Sequence, residues 1–277
     1  MNNNTINFLM CGKLGDFTHA LFGLSQTCKI KGVKANLYMY DIGWEYGIEN
    51  TYRELKPIIE GQNYIHSFNI LKNYHLDPIQ NPNQSTPIEI FDEKILSEGY
   101  IDLGAYIRSP LLFQACWSDI FAEVCGIEID RENYQTINFK EVDPRFKDKI
   151  ILHRRAAYTN RLNSSFPYEP IVSFHKKDIV FISTSENDFQ LFPYKAGLEF
   201  YKIGDMSDWY RVINSGKFLI SNLSAPESIG RVLDVPRLIE LPHDMNSYHF
   251  FTEIKYTNKM HFWQSEQVNN CKHLFGG

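Results

Sequence analysis

The chain has little with which to staple or anchor itself. Its 277 residues include five cysteines, Cys11, Cys28, Cys116, Cys125 and Cys271. The number is odd and no two stand in CxxC spacing, which sets aside a disulfide framework and a zinc site and predicts reduced, buried thiols. No run approaches the roughly 20 apolar residues of a membrane span. Met1 to Asn4 is polar and uncharged, unlike the basic and apolar regions of a signal peptide. A soluble, cytoplasmic protein is the expectation. The net charge of -5 speaks against bulk nucleic acid as a partner, so any phosphate recognition must be local. Several chemical signatures are also missing. There is no HExxH, no Asp-x-Asp after an apolar strand and no Gly-x-Ser-x-Gly elbow, and neither the dinucleotide GxGxxG nor a Walker A loop is present. No metal site and no resident cofactor are expected, and hydrolases of those types are disfavoured.

What is present is a pair of similar turn signatures, one in each half. The first runs Phe8-Leu9-Met10-Cys11-Gly12-Lys13-Leu14-Gly15-Asp16-Phe17-Thr18-His19. The second runs Lys217-Phe218-Leu219-Ile220-Ser221-Asn222-Leu223-Ser224-Ala225-Pro226-Glu227-Ser228. Each reads as a short apolar strand, a turn and a helix start. In an open α/β sheet ligands bind where such strands end and such helices begin. Two such places predict two α/β halves facing a cleft.

The periodicity fills in the rest. Residues 5–11 predict a strand, and Phe17, Ala20, Leu21, Leu24 and Cys28 mark one buried helix face. Lys31-Gly32 stops that helix and Ala35 to Tyr40 returns as a strand, a βαβ unit in a parallel sheet. A helix over 49–60, a strand from Tyr64 to Leu71, an exposed loop from Asn73 to Pro87 and a helix from Pro110 to Val124 follow. Later apolar runs at 150–152, 179–182, 198–203, 218–220 and 237–241 alternate with helical segments at 168–176, 186–191, 206–214 and 225–233. They predict a second parallel sheet covered on both faces. Val142-Asp143-Pro144-Arg145 reads as the linker, dividing the chain into 1–143 and 144–254. The tail, 255–277, reads as a helix packing back on the first half. The 14% aromatic content reads as core, with sugar-stacking platforms as the alternative.

Three segments carry possible chemistry. In the first turn, Gly12 and Gly15 let the backbone approach a ligand, and Lys13 and His19 flank it. Asp16 has two readings, an N-cap bonding the N–H of Thr18 or His19, or a carboxylate that takes a proton from an acceptor hydroxyl. In the second turn, Ser224 and Glu227 read as a capping box that starts a helix at Ala225. The helix start also suits a diphosphate, with Ser221 and Asn222 beside it and Glu227 able to reach a ribose hydroxyl. Third, His153-Arg154-Arg155-Ala156-Ala157-Tyr158-Thr159-Asn160-Arg161 follows a strand and concentrates cations that suit phosphate oxygens. Adjacent Arg154 and Arg155 would point opposite ways in a strand, so one of them is structural.

The first turn and its strand, with Ala20 and Leu21, resemble the N-terminal signature of heptosyltransferase-like glycosyltransferases of the GT-B fold. Phe218 to Gly230 with Val235-Pro236-Arg237-Leu238-Ile239-Glu240 resembles their donor-side segment. The resemblance implies an inverting, metal-independent transfer of a sugar from a nucleotide-diphosphate donor to a hydroxyl of a glycan or other acceptor. A nucleic acid would enter only as a modified-base acceptor. The acceptor would lie against the N-terminal domain, at Gly12, Lys13, Gly15 and His19, with Asp16 as base. The donor would lie against the C-terminal domain, at Arg154, Arg155, Tyr158, Ser221, Asn222, Ser224, Ala225 and Glu227. Where the family carries Asp-Thr/Ser-Gly and a following His, this chain has Ser221-Asn222-Leu223-Ser224, so a heptose is not implied. A nucleotide-sugar epimerase on the same scaffold and a non-catalytic nucleotide- or sugar-binding module are the alternatives.

Overall fold

A computed structural model describes residues 4–75, 88–112, 115–129, 136–156 and 166–240, with the backbone of Met260–Phe262. The chain forms two compact units that divide between Asn138 and Phe139.

In the first unit, β1 (Thr5–Met10), α1 (Leu14–Lys31) and β2 (Lys34–Met39) form the expected βαβ unit. Gly32, in the left-handed region at φ 63°, closes α1 with its N–H on the Cys28 carbonyl, a conformation that favours glycine. α2 (Ile48–Glu60) and β3 (Ile65–Ile70) follow. Next come the two-residue strands β4 (Tyr74–His75) and β5 (Glu89–Ile90), which pair antiparallel. α3 (Glu93–Glu98) leads into β6 (Tyr100–Asp102), a 3-10 helix at Leu103–Arg108 and α4 (Trp117–Cys125). The main sheet is wholly parallel in the order β3-β2-β1-β6. β1 is therefore the point from which the chain first winds one way and later the other.

Two expectations are corrected here. His75 and Tyr74 form a strand within the segment expected as loop, and residues 76–87 lie outside the described ones. The helix expected from Pro110 begins only at Trp117; before it, Leu112 N–H bonds the Ser109 carbonyl and Ala115 N–H the Leu111 carbonyl.

The second unit is built on β7 (Ile150–His153), α5 (Tyr168–His175), β8 (Ile179–Ser183), α6 (Glu186–Gln190) and β9 (Glu199–Lys202). It continues through α7 (Met206–Ser215), β10 (Phe218–Asn222), α8 (Ala225–Val232), β11 (Arg237–Glu240) and β12 (Met260–Phe262). Its six strands are all parallel in the order β9-β8-β7-β10-β11-β12. Counted in order of appearance this is 3-2-1-4-5-6, the doubly wound arrangement of dinucleotide-binding folds. Ile151, Leu152, Phe181 and Ile182 are each 0% exposed, as strands covered on both faces require. Each such side chain contributes on the order of 2–3 kcal/mol by burial. Met260–Phe262 is a strand beside β11, where a tail helix was expected; its apolar residues extend this sheet at those positions. The remainder of 255–277 lies outside the described residues.

No helix among the described residues is long and apolar enough to cross a membrane.

Candidate active site

In a parallel sheet the crevice opens at the carboxyl ends of the two strands where the winding reverses. In the first unit these are β1 and β6; in the second, β7 and β10. Several of the residues singled out by sequence lie at these two edges.

At the first edge, Gly12 takes φ 107° and donates its N–H to the Ile42 carbonyl at 2.8 Å, a backbone shape side chains resist. Lys13, exposed, is the N-cap of α1 and makes no side-chain cap bond. Gly15 and Asp16 lie inside the first turn. The N-cap reading of Asp16 is thus corrected. It is the third helical residue of α1. The residue is half-buried. Burial pushes its pKa above the usual carboxylate value, partly offset by the Tyr106 hydroxyl, the Lys13 backbone N–H and the Lys13 charge. A carboxylate whose pKa is raised while it keeps an exposed side is suited to accept a proton.

His19 does not face the edge. It is 4% exposed, and its ring stacks on Trp117 at 5.0 Å and 8° between planes. α1 and α4 meet closely here because Gly23 has no Cβ; one would stand 2.8 Å from the Phe121 Cβ. Trp117 and Phe121 then pack on Tyr106, at 5.6 Å and 5.4 Å between centroids. His19 is part of the wall behind Tyr106.

Sequence reasoning missed the residues around Asp16. Asp102 ends β6 and caps the 3-10 helix, accepting from Gly104 N–H at 2.9 Å, Tyr40 Oη at 3.2 Å and Arg108 Nη2 at 3.3 Å. Burial raises its pKa against the Arg108 charge and those bonds. Burial pushes the Cys11 thiol up to about 12, and it stays protonated. A polar residue closing a short strand was the available signal for Asp102, but a three-residue strand has no periodicity to reveal it.

At the second edge, β7 ends at His153, which is buried. Its Nδ1–H donates to the Ile182 carbonyl at 2.8 Å, and burial lowers its pKa. The neutral ring ties β7 to β8. Asp188 fixes the next residues: it accepts from Ala156 N–H at 2.8 Å and from Ser183 Oγ at 2.7 Å. Arg154 binds Glu240 at the end of β11, Nε to Oε2 at 3.1 Å and Nη2 to Oε1 at 3.2 Å. Tyr168 Oη also donates to Glu240 Oε2 at 2.6 Å, and the guanidinium lies 5.0 Å from the Tyr168 ring centroid. Arg154 is therefore the structural member of the arginine pair. Arg155 is half-buried, and its backbone N–H is held by Asn222 Oδ1 at 3.1 Å. Tyr158 lies outside the described residues.

Ser221, buried, donates to the Asn222 carbonyl at 2.7 Å. Ala225 opens α8, but the capping box is not made. Ser224 Oγ turns back to the Asn222 carbonyl at 3.1 Å and makes no cap bond. Glu227 is 0% exposed beneath the helix, with Oε1 3.5 Å from Arg237 Nε. Burial raises the Glu227 pKa against the pull of Arg237 and Arg231, and lowers that of Arg237 to about 10. An acid buried under α8 cannot reach a ribose, so that expectation is corrected. Among the described residues no group of three His, Cys, Asp or Glu side chains could hold a metal ion.

Two Rossmann-like halves, each with its polar groups at the switch point of its sheet, place the chain in the α/β class with a GT-B-like fold. Neither a protein-family model nor a curated protein matches the sequence. Solved structures do match. The E. coli heptosyltransferase WaaC with ADP-2-deoxy-2-fluoro heptose aligns at TM-score 0.58 and 12% identity, over 98% of this chain and 99% of that one. A glycosyl transferase family 9 protein from Veillonella parvula aligns at TM-score 0.53 and 14% identity, over 98% and 97%. A Listeria monocytogenes protein provisionally assigned as a UDP-N-acetylglucosamine 2-epimerase aligns at TM-score 0.54 and 9% identity, over 100% and 89%. At these identities the likeness is one of fold, and that fold is the one the heptosyltransferase-like turn signatures implied.

Proposed function

We propose that the protein is an inverting glycosyltransferase that moves a sugar from a nucleotide-diphosphate donor to an acceptor hydroxyl without a metal ion. The observation that carries the reading is Asp16: a half-buried carboxylate with raised pKa, at the carboxyl end of β1, on the edge where this fold takes ligands. The acceptor oxygen attacks the anomeric carbon and its proton passes to Asp16. The bond from that carbon to the diphosphate oxygen breaks, and the nucleoside diphosphate leaves. One displacement inverts the centre.

The acceptor would bind the first unit, beside Gly12 and Lys13, and the donor the second. Arg155 and the first-turn N–H groups of α8 would meet the diphosphate charge. Asn222, Ser221 and Ser224 would hold that turn in shape. A nucleotide sugar as partner agrees with the ADP-heptose analogue in the WaaC structure. The protein would work in the cytoplasm, in glycan assembly.

A thermal-shift screen of the whole chain against nucleoside diphosphates and their sugars tests the donor site. A ligand that binds only the folded state raises the melting temperature. The reading expects one nucleotide family to do so, equally with a chelator present, and Arg155→Ala to abolish the shift. No shift with any nucleotide would contradict it. The likeness to an epimerase fold keeps one rival specific: that enzyme would change the donor sugar with no acceptor present, which product analysis separates from transfer.

A further inference from the structure

At the edge of the first unit opposite Asp16, the amino ends of β1, β2 and β3 border a cavity of about 920 Å³. That volume suits a small ligand. The six residues of β2 keep it about 20 Å from the carboxyl edge. Its lining is mainly amides and hydroxyls, where most ligand pockets have apolar walls. No Asp or Glu is among the described residues that line it, while Lys29 of α1, Lys34 of β2 and His66 of β3 are. In a chain of net charge -5 this is a local excess of cation. Lys29 stands in the last turn of α1, where it complements the helix dipole. Lys34 and His66 stand on strands, where no dipole calls for them.

The placement of His66 is built into the sheet. Ala35 pairs with Ile65 but Asn36 with Ser67, so His66 is the extra residue of a bulge in β3. A bulge on an outer strand re-aims a side chain, and β3 is the outermost strand of the order β3-β2-β1-β6. His66 is exposed and lines the cavity, as does Lys34 at the start of the neighbouring strand. Neither side chain makes a hydrogen bond or ion pair with a described residue. The Gln62 amide, by contrast, is spent on the wall itself. It accepts from Asn138 N–H at 2.9 Å and donates to the Ile58 carbonyl at 2.7 Å. We infer that this cavity binds a sugar phosphate. The Lys34 ammonium and a ring N–H of His66 take the phosphate oxygens. The side-chain amides of Asn63 and Asn138, each both donor and acceptor, take the sugar hydroxyls. The site is separate from the edge that carries Asp16, and the inference does not depend on the transfer reading.

The test is NMR of the full chain labelled in its histidine rings, titrated separately with glucose 6-phosphate, glucose and inorganic phosphate. The His66 resonance is identified by its loss in His66→Gln. Glucose 6-phosphate should shift that resonance to saturation, with an affinity roughly tenfold or more above that of glucose or of phosphate alone. Lys34→Ala, an exposed change, should weaken the binding roughly tenfold with the melting temperature unchanged. Asp16→Asn and Arg155→Ala should bind glucose 6-phosphate as wild type does. An unmoved His66 resonance would overturn the inference. So would equal binding of inorganic phosphate, which marks an unspecific anion site. Loss of binding in Asp16→Asn or Arg155→Ala would overturn it too, by placing the ligand at a carboxyl edge. None of these readouts uses sugar transfer, so this inference and the transfer reading fail separately.

Discussion

The guanidinium of Arg154 grips the carboxylate of Glu240 through two hydrogen bonds, joining the end of β7 to the end of β11. Glu240 is 0% exposed. Removing its partner leaves a buried charge, at a cost of about 3–5 kcal/mol. Arg154→Met should lose that much in urea unfolding. Combining it with Glu240→Leu and Tyr168→Phe should restore most of it. A mild loss in the single variant would show that Arg154 is free to serve phosphate instead.

The turn before α8 makes a contrasting pair of predictions. Ser224 does not cap the helix, so Ser224→Ala should cost a few tenths of a kcal/mol, well under the ~1 kcal/mol of a working cap. Glu227→Gln disturbs a buried ion pair with Arg237 and should cost several-fold more. Equal losses in denaturant titrations would restore the capping box.

Asp16 should carry a pH-dependent stability cost. Its folded pKa lies above the ordinary value, so its contribution is full below the unfolded value of about 3.9 and is lost as pH rises through the folded value. Asparagine has no such loss. Asp16→Asn should gain on wild type in melting temperature between pH 4 and pH 7. A constant difference across that range would contradict the raised pKa.

Gly104→Ala should act at a distance from the base. The added methyl would press on Tyr40 and Asp102 and displace the 3-10 helix, costing about 1–3 kcal/mol as overpacking does. Transfer should fall while nucleotide binding by the second unit is kept. Calorimetric titration with the donor checks the second part.

The parallel sheets were legible because their strands are unbroken apolar runs such as Ile150 to Leu152 and Ile179 to Ile182, separated by helical spacing. Arg154 and Arg155 stood out because they follow Ile150–His153 directly, and Asp16 because it follows β1 across a glycine turn; that Arg154 is spent on Glu240 could not be read from spacing. β6 was not legible, since Tyr100–Asp102 is too short for any pattern, and with it went Asp102 and Tyr106. The Ser224–Glu227 spacing misled for a different reason. A capping box presumes a solvated helix start, whereas α8 is buried over Arg237 and draws its acid inward. His19 likewise takes its place from Trp117, a contact between helices that spacing along one helix cannot show.

The most direct measurement is sugar transfer by wild type and Asp16→Asn, with the donor found by ligand screening and products weighed by mass spectrometry. The account predicts that wild type releases nucleoside diphosphate and glycosylates the acceptor. Asp16→Asn should bind the donor as tightly and transfer at least 100-fold more slowly, the lower bound for losing a general base, ~10²–10⁴-fold. Transfer at the wild-type rate by Asp16→Asn would contradict it.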